Sequence, residues 1–299
     1  MRQVTFLLAV VLAAISPIDV AADEELALAS VSAIAVDVQS GDTLLAQNAE
    51  VTLPIASLTK VMTALVVLES GADLEEWLDI RDWDRATAKN AYSRIRLTSQ
   101  ARRKDLLRIA LMSSENRAAY NLAVHHPGGH AAFVAAMNET ARTLGMTSSH
   151  FSDPTGLETT NTSTAADLAR LVVAADKHDL LRNYSTTRQF TVNFRKPRYR
   201  LGYGNTNPLT GSNRWQVALT KTGYLTEAGR CLVMVTSIGG RSVALVMLNS
   251  LGTRSPLGDA GRIKRFLEAG VRSRVAPAAR EHRARVLASL SQVATEGGD

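Results

Sequence analysis

The sequence contains one cysteine, Cys231, among its 299 residues. A single cysteine excludes an internal disulfide framework and a zinc knuckle built on cysteine ligands. No His-Glu-x-x-His pattern occurs, and no run beyond the N-terminal segment reaches the ~18 consecutive apolar residues of a membrane-spanning helix. No internal repeat is evident. The sequence therefore predicts no disulfide-stapled scaffold, no metal site and no membrane span in the mature chain.

The overall composition is that of an ordinary folded protein. Apolar residues make up 45% and charged residues 21% of the chain, which excludes a disordered protein. The length suits one large domain or two modest ones with a sizeable core. A net charge of +6 favours polyanionic surroundings, which leaves nucleic acid, a membrane surface and a cell wall open.

The N-terminus narrows this choice. Arg2 precedes an apolar run from Phe6 to Ile15, and the small residues Val20-Ala21-Ala22 follow. This pattern is typical of a secretory signal peptide over residues 1–22, cleaved after Ala22, with an N-terminal core helix as the alternative. Export disfavours a partnership with nucleic acid.

The order of periodic segments predicts an α+β fold. A strand hairpin comes first, a group of helices follows, and three apolar runs of strand length precede a closing helix. We expect the early and late strands to share one antiparallel sheet, with the helices inserted as a second lobe and a site in the cleft between. The predicted strands are Ser32–Val38, Thr43–Ala46, Trp215–Thr220, Cys231–Ile238 and Ser242–Asn249. The predicted helices are Ala56–Ser70, Lys104–Met112, Ala118–Val124, His130–Leu144, Thr164–Ala175 with Ser163 as N-cap, and Asp259–Ala269.

The predicted catalytic domain spans residues 23–275, and a C-terminal tail of residues 276–299 follows it. In the tail, four apolar residues fall on one helical face: Val286, Leu287, Leu290 and Val293. This short stripe favours a loosely packed terminal helix over contact with a membrane surface.

Ser57 and Lys60 carry the first chemical signal. In a Ser-x-x-Lys pattern at the start of a helix, positions i and i+3 share a face, so the hydroxyl and the amine meet. A neutral lysine can take the serine proton and activate it as a nucleophile. Backbone N–H groups at the helix start can stabilise a developing oxyanion. Alone, the pattern also fits a serine at a helix start with a solvated lysine.

Two further motifs follow in chain order. Ser114-Glu115-Asn116 lies between two predicted helices, and Lys221-Thr222-Gly223 ends a predicted strand. Each alone has a structural interpretation, as a helix cap or as a strand end. The three motifs together, in this order, resemble those of penicillin-binding proteins and class A β-lactamases.

The chain resembles the low-molecular-weight serine D-Ala-D-Ala peptidases, the carboxypeptidases and endopeptidases of peptidoglycan. The resemblance covers nearly all of the mature chain and implies the β-lactamase/penicillin-binding-protein fold. Beyond the three motifs it rests on Pro54-Ile55-Ala56-Ser57, Met112–Ala118, Asp153-Pro154-Thr155-Gly156-Leu157, Ser163–Leu168 and Thr220–Val233.

The resemblance implies a role for each site residue. Ser57 is the acylated nucleophile, Lys60 its general base, and Ser114 a proton relay to the leaving amine. Asn116 holds the substrate amide and the lysine. Lys221 and Thr222 bind the substrate carboxylate, and Gly223 leaves room for substrate along the strand edge. The backbone N–H groups of Ser57 and Tyr224 form the oxyanion hole.

The resemblance also implies a periplasmic location, no cofactor, peptide stems as substrate and β-lactams as covalent inhibitors. It favours an endopeptidase that cuts the D-Ala–meso-diaminopimelate cross-link, because only ~30 residues follow the last predicted core helix, too few for the second domain of many carboxypeptidases. A carboxypeptidase that trims terminal D-Ala and a non-catalytic wall-binding protein are the alternatives. The Glu-x-x-Leu-Asn stretch of class A β-lactamases is absent, so we expect slow release of a bound β-lactam.

Three remaining signals have ordinary interpretations. The histidines His125, His126 and His130 are separated by Pro127-Gly128-Gly129, which favours a surface loop over a metal site. The basic runs Arg102-Arg103-Lys104 and Arg195-Lys196 indicate solvated faces that favour anionic cell-wall polymers. Cys231 lies in an apolar strand and is predicted to be buried and inert. We also expect the pKa of Lys60 to be low, because Lys221 faces the same site.

Overall fold

A computed structural model describes residues 26–83 and 92–296, so the predicted signal peptide lies outside the described residues. The strands are β1 Ser30–Asp37, β2 Thr43–Gln47, β3 Leu53–Pro54, β4 Trp77–Asp79, β5 Gln100–Arg102, β6 Thr162–Ser163, β7 Gln189–Phe194, β8 Tyr199–Gly204, β9 Val217–Leu225, β10 Gly229–Ile238 and β11 Arg241–Ser250. The helices are α1 Thr59–Glu69, α2 Arg103–Met112, α3 Asn116–Val124, α4 Gly129–Thr143, α5 Ala165–Asp176, α6 Asp179–Thr186, α7 Ser255–Ala269 and α8 Pro277–Glu296.

The main sheet has five antiparallel strands in the order β2-β1-β11-β10-β9. Its ends come from opposite ends of the chain, which confirms that the early and late strands share one sheet. The central strand β11 is an apolar run buried on both faces, as a strand covered on two sides must be. Separate apolar clusters lie on the two faces, one shared with the helical lobe and one with α7.

The helical lobe is built around α1, which is buried along nearly its whole length. It contacts α2, α3, α4 and α5, so its apolar side chains are covered on all sides. The 3-10 turn that precedes α1 packs on β9, the edge strand of the main sheet. The helical insertion therefore places the start of α1 beside the sheet edge, as the order of elements predicted.

Several details differ from the sequence prediction, including the start of α7, which lies at Ser255 and not at Asp259. The N-cap of α5 is Thr164, whose side chain accepts the N–H of Asp167, so the assignment to Ser163 was wrong by one residue. Lys221-Thr222-Gly223 lies inside β9 and not at a strand end. An edge strand is paired on one side only, so it tolerates this polar interruption. The helix α6 and the β7–β8 hairpin have no counterpart in the prediction.

The tail forms α8, which packs against the body of the protein. Val286, Leu287 and Leu290 of the predicted stripe contact the main core cluster. Arg283 donates hydrogen bonds to the Leu28 carbonyl and to Gln47 Oε1 at 3.0 and 2.9 Å. These stripe residues therefore meet protein, and contact with a membrane surface stays a prediction. No helix within residues 26–83 and 92–296 is long and apolar enough to cross a membrane.

Candidate active site

Ser57 lies on the 3-10 turn Ala56–Leu58, immediately before α1. Ala56 has a left-handed backbone with φ of 49°, a conformation that alanine rarely adopts. The turn is held by hydrogen bonds from Leu58 N to Ile55 O at 3.2 Å and from Thr59 Oγ1 to Ala56 O at 2.8 Å. A strained turn fixed in this way orients the Ser57 side chain.

Lys60 lies one helical turn beyond Ser57, and its ammonium group is fully buried. Its Nζ donates to Ser57 Oγ at 2.9 Å, to Asn116 Oδ1 at 2.6 Å and to the Thr155 carbonyl at 2.5 Å. Asn116 Oδ1 and the Thr155 carbonyl oxygen can only accept hydrogen bonds. When the Lys60 amine is neutral, its two N–H groups therefore stay directed at these two oxygens. The lone pair of neutral Lys60 then points at the Ser57 hydroxyl.

The pKa of the buried Lys60 amine lies near neutrality. Burial lowers the pKa of Lys60 to about 7, while the carboxylates of Asp153 and Glu115 oppose this shift. The expected direction of the Lys60 pKa shift is thus confirmed, but its cause was predicted wrongly, because burial and not the charge of Lys221 lowers this pKa. Burial also holds the pKa of Lys221 well below its usual range, and repulsion from the charge on Lys60 adds to this effect.

The loop between α2 and α3 supplies the second motif. Ser114 adopts a left-handed backbone with φ of 61°, and Glu115 caps α3 by accepting the N–H of Arg117. This sharp reversal directs Ser114 to the cavity wall and Asn116 to Lys60. Burial raises the pKa of the Glu115 carboxyl.

The third motif lies on β9, with alternate residues on opposite faces. Gly223 faces the nucleophile turn, where a Cβ atom would lie 3.1 Å from the Ile55 carbonyl oxygen. Lys221 shares this face by the two-residue period of a strand, and its Nζ donates to the Thr222 carbonyl at 2.8 Å. The glycine therefore permits close approach of the strand and the turn.

The free edge of β9 presents backbone N–H groups to the site. Thr220 N donates away from the sheet to Ser185 Oγ of α6 at 3.2 Å. The register between β9 and β10 has no bulge from Thr220 to Tyr224. Backbone N–H groups of alternate residues point the same way along a strand, so the N–H of Tyr224 points off the same edge as that of Thr220. Helix α6 contacts this edge of β9 at Thr220. The N–H of Tyr224 lies four residues further along the strand, beyond that contact.

These elements enclose a cavity of about 400 Å³, within the usual size range of small-molecule sites. It brings together five residues predicted from sequence: Ser57, Ser114, Thr222, Gly223 and Tyr224. The buried side chain of Lys60 joins this set through its hydrogen bond to Ser57, and Asn116 joins it through Lys60. The three sequence motifs thus converge on one place.

Residues 19–252 match the protein family described as D-alanyl-D-alanine carboxypeptidase, peptidase family S11. The chain belongs to this family. As a member of peptidase family S11 it is a hydrolase of the serine type, and its fold is that of the penicillin-binding proteins.

Similar proteins support the assignment to this family. The chain is 47% identical to a D-alanyl-D-alanine endopeptidase of Pseudomonas aeruginosa, over 86% of this chain and 83% of the relative. It is 44% identical to the D-alanyl-D-alanine endopeptidase of Escherichia coli, over 81% and 78%. The solved DD-transpeptidase of Streptomyces K15 superposes with a TM-score of 0.74 at 27% identity, over 80% of this chain and 97% of that one.

This S11 family member has site residues that sequence analysis did not single out. Asp153 accepts hydrogen bonds from the backbone N–H groups of Gly156 at 2.6 Å and Glu158 at 2.7 Å. Asn161 Nδ2 ties the same loop to Thr59 Oγ1 at 3.1 Å. The loop thereby holds the Thr155 carbonyl against Lys60. The loop sequence matches the family pattern, but nothing local to it signals contact with the nucleophile.

Two arginines of the cavity wall were also missed, Arg230 and Arg254. Arg230 lies 3.7 Å above the centre of the Tyr224 ring, a cation–π contact at the cavity mouth. Cys231 lines the wall as well but is 2% exposed, and burial raises the pKa of its thiol to about 12. The prediction that it is buried is confirmed. No group of three or more metal-ligating side chains forms among the described residues.

Gly156 provides a direct test of this loop. A Cβ atom there would lie 2.0 Å from the Ala56 carbonyl oxygen, a backbone atom that cannot rotate away as a side chain could. We expect Gly156→Ala to reduce the free energy of unfolding by roughly 3 kcal/mol or more, through overlap as well as backbone strain. Chemical denaturation measures the loss.

The matched control is Gly145→Ala. Gly145 has a similar φ of 70°, but nothing lies within 4 Å of its added Cβ atom. This variant carries only the cost of a left-handed alanine, about 1 kcal/mol. Equal losses in the two variants would contradict the proposed contact between the loop and the nucleophile turn.

Proposed function

We propose that the protein is a serine D-alanyl-D-alanine endopeptidase that cleaves D-Ala–meso-diaminopimelate cross-links of peptidoglycan through an acyl-enzyme on Ser57. The observation that carries the proposal is the 2.9 Å contact of the buried Lys60 amine with Ser57 Oγ. Ser57 lines the cavity that the edge strand β9 borders. A pure wall-binding protein has no need of such an activated hydroxyl.

In the acylation step, neutral Lys60 accepts the Ser57 proton as Oγ attacks the D-alanyl carbonyl carbon. The backbone N–H groups of Ser57 and Tyr224 stabilise the oxyanion. The C–N bond then breaks, and Ser114 relays a proton to the leaving amine. Water hydrolyses the Ser57 ester, which releases the D-alanyl carboxylate and restores the enzyme.

Substrate binding uses the edge of β9 and the cations of the wall. Asn116 and Thr222 hydrogen-bond to the peptide, while Gly223 lets the strand approach the nucleophile. Lys221 lies behind Thr222 and shapes the field, and burial holds its pKa well below the usual range. Arg230 and Arg254 supply the permanent positive charge that a substrate carboxylate requires.

The endopeptidase activity is preferred because the two relatives of 47% and 44% identity bear that name. A D-Ala-D-Ala carboxypeptidase with the same residues is the second candidate, since the matched family carries that description. We further propose residues 1–22 as a signal peptide, residues 23–275 as the catalytic domain and the periplasm as the location. Peptide stems are the proposed substrate and β-lactams the proposed inhibitors.

Digestion of purified peptidoglycan fragments separates the two activities. The mixture should contain a cross-linked dimer and a monomeric pentapeptide, and mass spectrometry should follow both. We expect monomers to be released from the dimer. Loss of terminal D-Ala from the pentapeptide alone would instead establish a carboxypeptidase, and no reaction of either would refute the proposed function.

The site is also expected to hold β-lactams as stable esters. Among the described residues, no carboxylate lines the cavity to activate a deacylating water, and the Glu-x-x-Leu-Asn stretch is absent. Penicillin should label Ser57 one-to-one, with turnover far below the ~10 s⁻¹ typical of enzymes. Intact-protein mass spectrometry over time measures this, and rapid repeated hydrolysis of penicillin would contradict it.

A further inference from the structure

Residues 188–204 form an arm of concentrated positive charge, which we term the basic hairpin. It contains β7 and β8 and no aspartate or glutamate. Its five cations are Arg188, Arg195, Lys196, Arg198 and Arg200. The whole chain has a net charge of only +6, so positive charge is strongly localised here.

The structure distinguishes this hairpin from the other basic run of the sequence. Arg102 and Lys104 pair with Glu75, and Arg103 pairs with Glu76, so each cation of that run already has a carboxylate partner. On the hairpin, Lys196, Arg198 and Arg200 are exposed and form no ion pair within the described part of the chain. Their charge is available to a partner.

The hairpin is held in a defined position. Arg195 and Gln100 exchange backbone hydrogen bonds of 3.0 and 2.8 Å, which joins β7 to β5. The Arg195 guanidinium lies 4.1 Å from the centre of the Trp77 ring, and Phe194 stacks on Tyr199 at 4.5 Å. A backbone held in place in this way presents its cations to a ligand at a smaller entropic cost than a mobile loop does.

Aromatic rings and cations line an open hollow on this arm, of about 630 Å³. Its wall includes Trp77, Arg195, Arg198, Tyr199 and Arg200. Guanidinium groups favour planar anions such as carboxylates, which they bind through paired hydrogen bonds. The hollow therefore suits a ligand that carries carboxylates.

The base of the hairpin adjoins the active-site cavity. Asn205 N donates to the Arg188 carbonyl at 2.9 Å and closes the base, and the next residue, Thr206, lines the cavity. The six residues of β8 extend about 20 Å from there towards the tip. A polymer seated on the arm thus continues towards Ser57.

We propose that the basic hairpin docks the carboxylate-bearing peptide stems of intact peptidoglycan at a distance from the bond that is cut. This inference rests on the proposed function, because the polymer is the one whose cross-links the site cleaves. The stems repeat along the polymer. Diaminopimelate has two carboxyl groups, and the peptide bond within the stem uses only one of them, so the other remains a free carboxylate. Several weak contacts on the arm then add to the binding at the cavity.

The test compares two full-length double variants with equal loss of charge. R198Q/R200Q removes two exposed cations of the hairpin, and R280Q/R285Q removes two exposed cations of α8. Co-sedimentation with insoluble, metal-free peptidoglycan sacculi is measured from low to physiological salt. We expect R198Q/R200Q to weaken binding about fivefold at low salt with a shallower salt dependence, and R280Q/R285Q to bind like the wild type.

Soluble assays separate docking from catalysis. Penicillin acylation and cleavage of a small soluble cross-linked dimer should be unchanged in R198Q/R200Q. Unchanged sedimentation, an equal loss in R280Q/R285Q, or an equal loss on the soluble dimer would each overturn the proposal. Stronger wild-type binding to anionic phospholipid vesicles than to sacculi would also overturn it. Failure of the wild type to react with penicillin would count against the proposed function alone, since sedimentation is measured independently.

Discussion

Replacement of Ser57 by alanine is expected to abolish covalent labelling by fluorescent penicillin and to reduce peptide cleavage by roughly 10⁴-fold or more. The variant removes the nucleophile, and the oxyanion donors and binding groups that remain supply only a small residual acceleration. Gel fluorescence measures labelling, and dimer hydrolysis measures cleavage. The Lys60 amine keeps Asn116 and Thr155 as acceptors, so the fold should persist.

The matched control is Ser40→Ala, at an exposed serine of the turn between β1 and β2. It should label and cleave like the wild type. Thermal unfolding of the Ser57→Ala variant should show a cooperative transition near that of the wild type. Labelling that persists in folded Ser57→Ala would move the nucleophile elsewhere, with Ser114 as the next hydroxyl on the cavity wall.

The second large effect concerns Lys60 and pH. The neutral amine is the base, and burial lowers its pKa to about 7, so the acylation rate should rise with pH through about 7 and then level off. Below that pH the protonated amine has no lone pair to accept the Ser57 proton. Lys60→Met should lower the rate by about 10³-fold and remove this limb. Stopped-flow acylation from pH 5 to 9 measures both.

Lys221→Met separates the two buried lysines. Its rate should also fall, because the amine and its hydrogen bond to the Thr222 carbonyl are lost. The limb near pH 7 should remain, since burial together with Asp153 and Glu115 sets the pKa of Lys60. A limb that disappears in Lys221→Met and persists in Lys60→Met would assign the base to Lys221 instead.

The sequence prediction agrees best with the structure where residues close together in the chain decide the geometry. Ser57 and Lys60 are three residues apart at a helix start, and backbone geometry alone brings such side chains together. The ends of α5 and β9 were predicted less accurately. Thr164 caps α5 one residue later than predicted, and the polar residue Thr222 lies inside β9 and not beyond its end. Boundary residues respond to contacts that the local pattern does not contain.

The β7–β8 hairpin shows why other elements were missed. Its inward residues Val192 and Phe194 are buried, while exposed residues alternate with them and a strongly basic turn joins the strands. The sequence run Arg195-Lys196 therefore indicated only a solvated face. Pairing with β5 decides its position, and that contact joins segments about a hundred residues apart.

The sequence by itself determined the chemistry of the site, because the three motifs carry their reactive groups at local spacings that helix and strand periodicity convert directly into geometry. Only the tertiary structure decided how Lys60 becomes a base. Its burial and its third acceptor, the Thr155 carbonyl, come from a loop 95 residues further along the chain. Desolvation and long-range packing depend on the assembled core, and no local pattern specifies them.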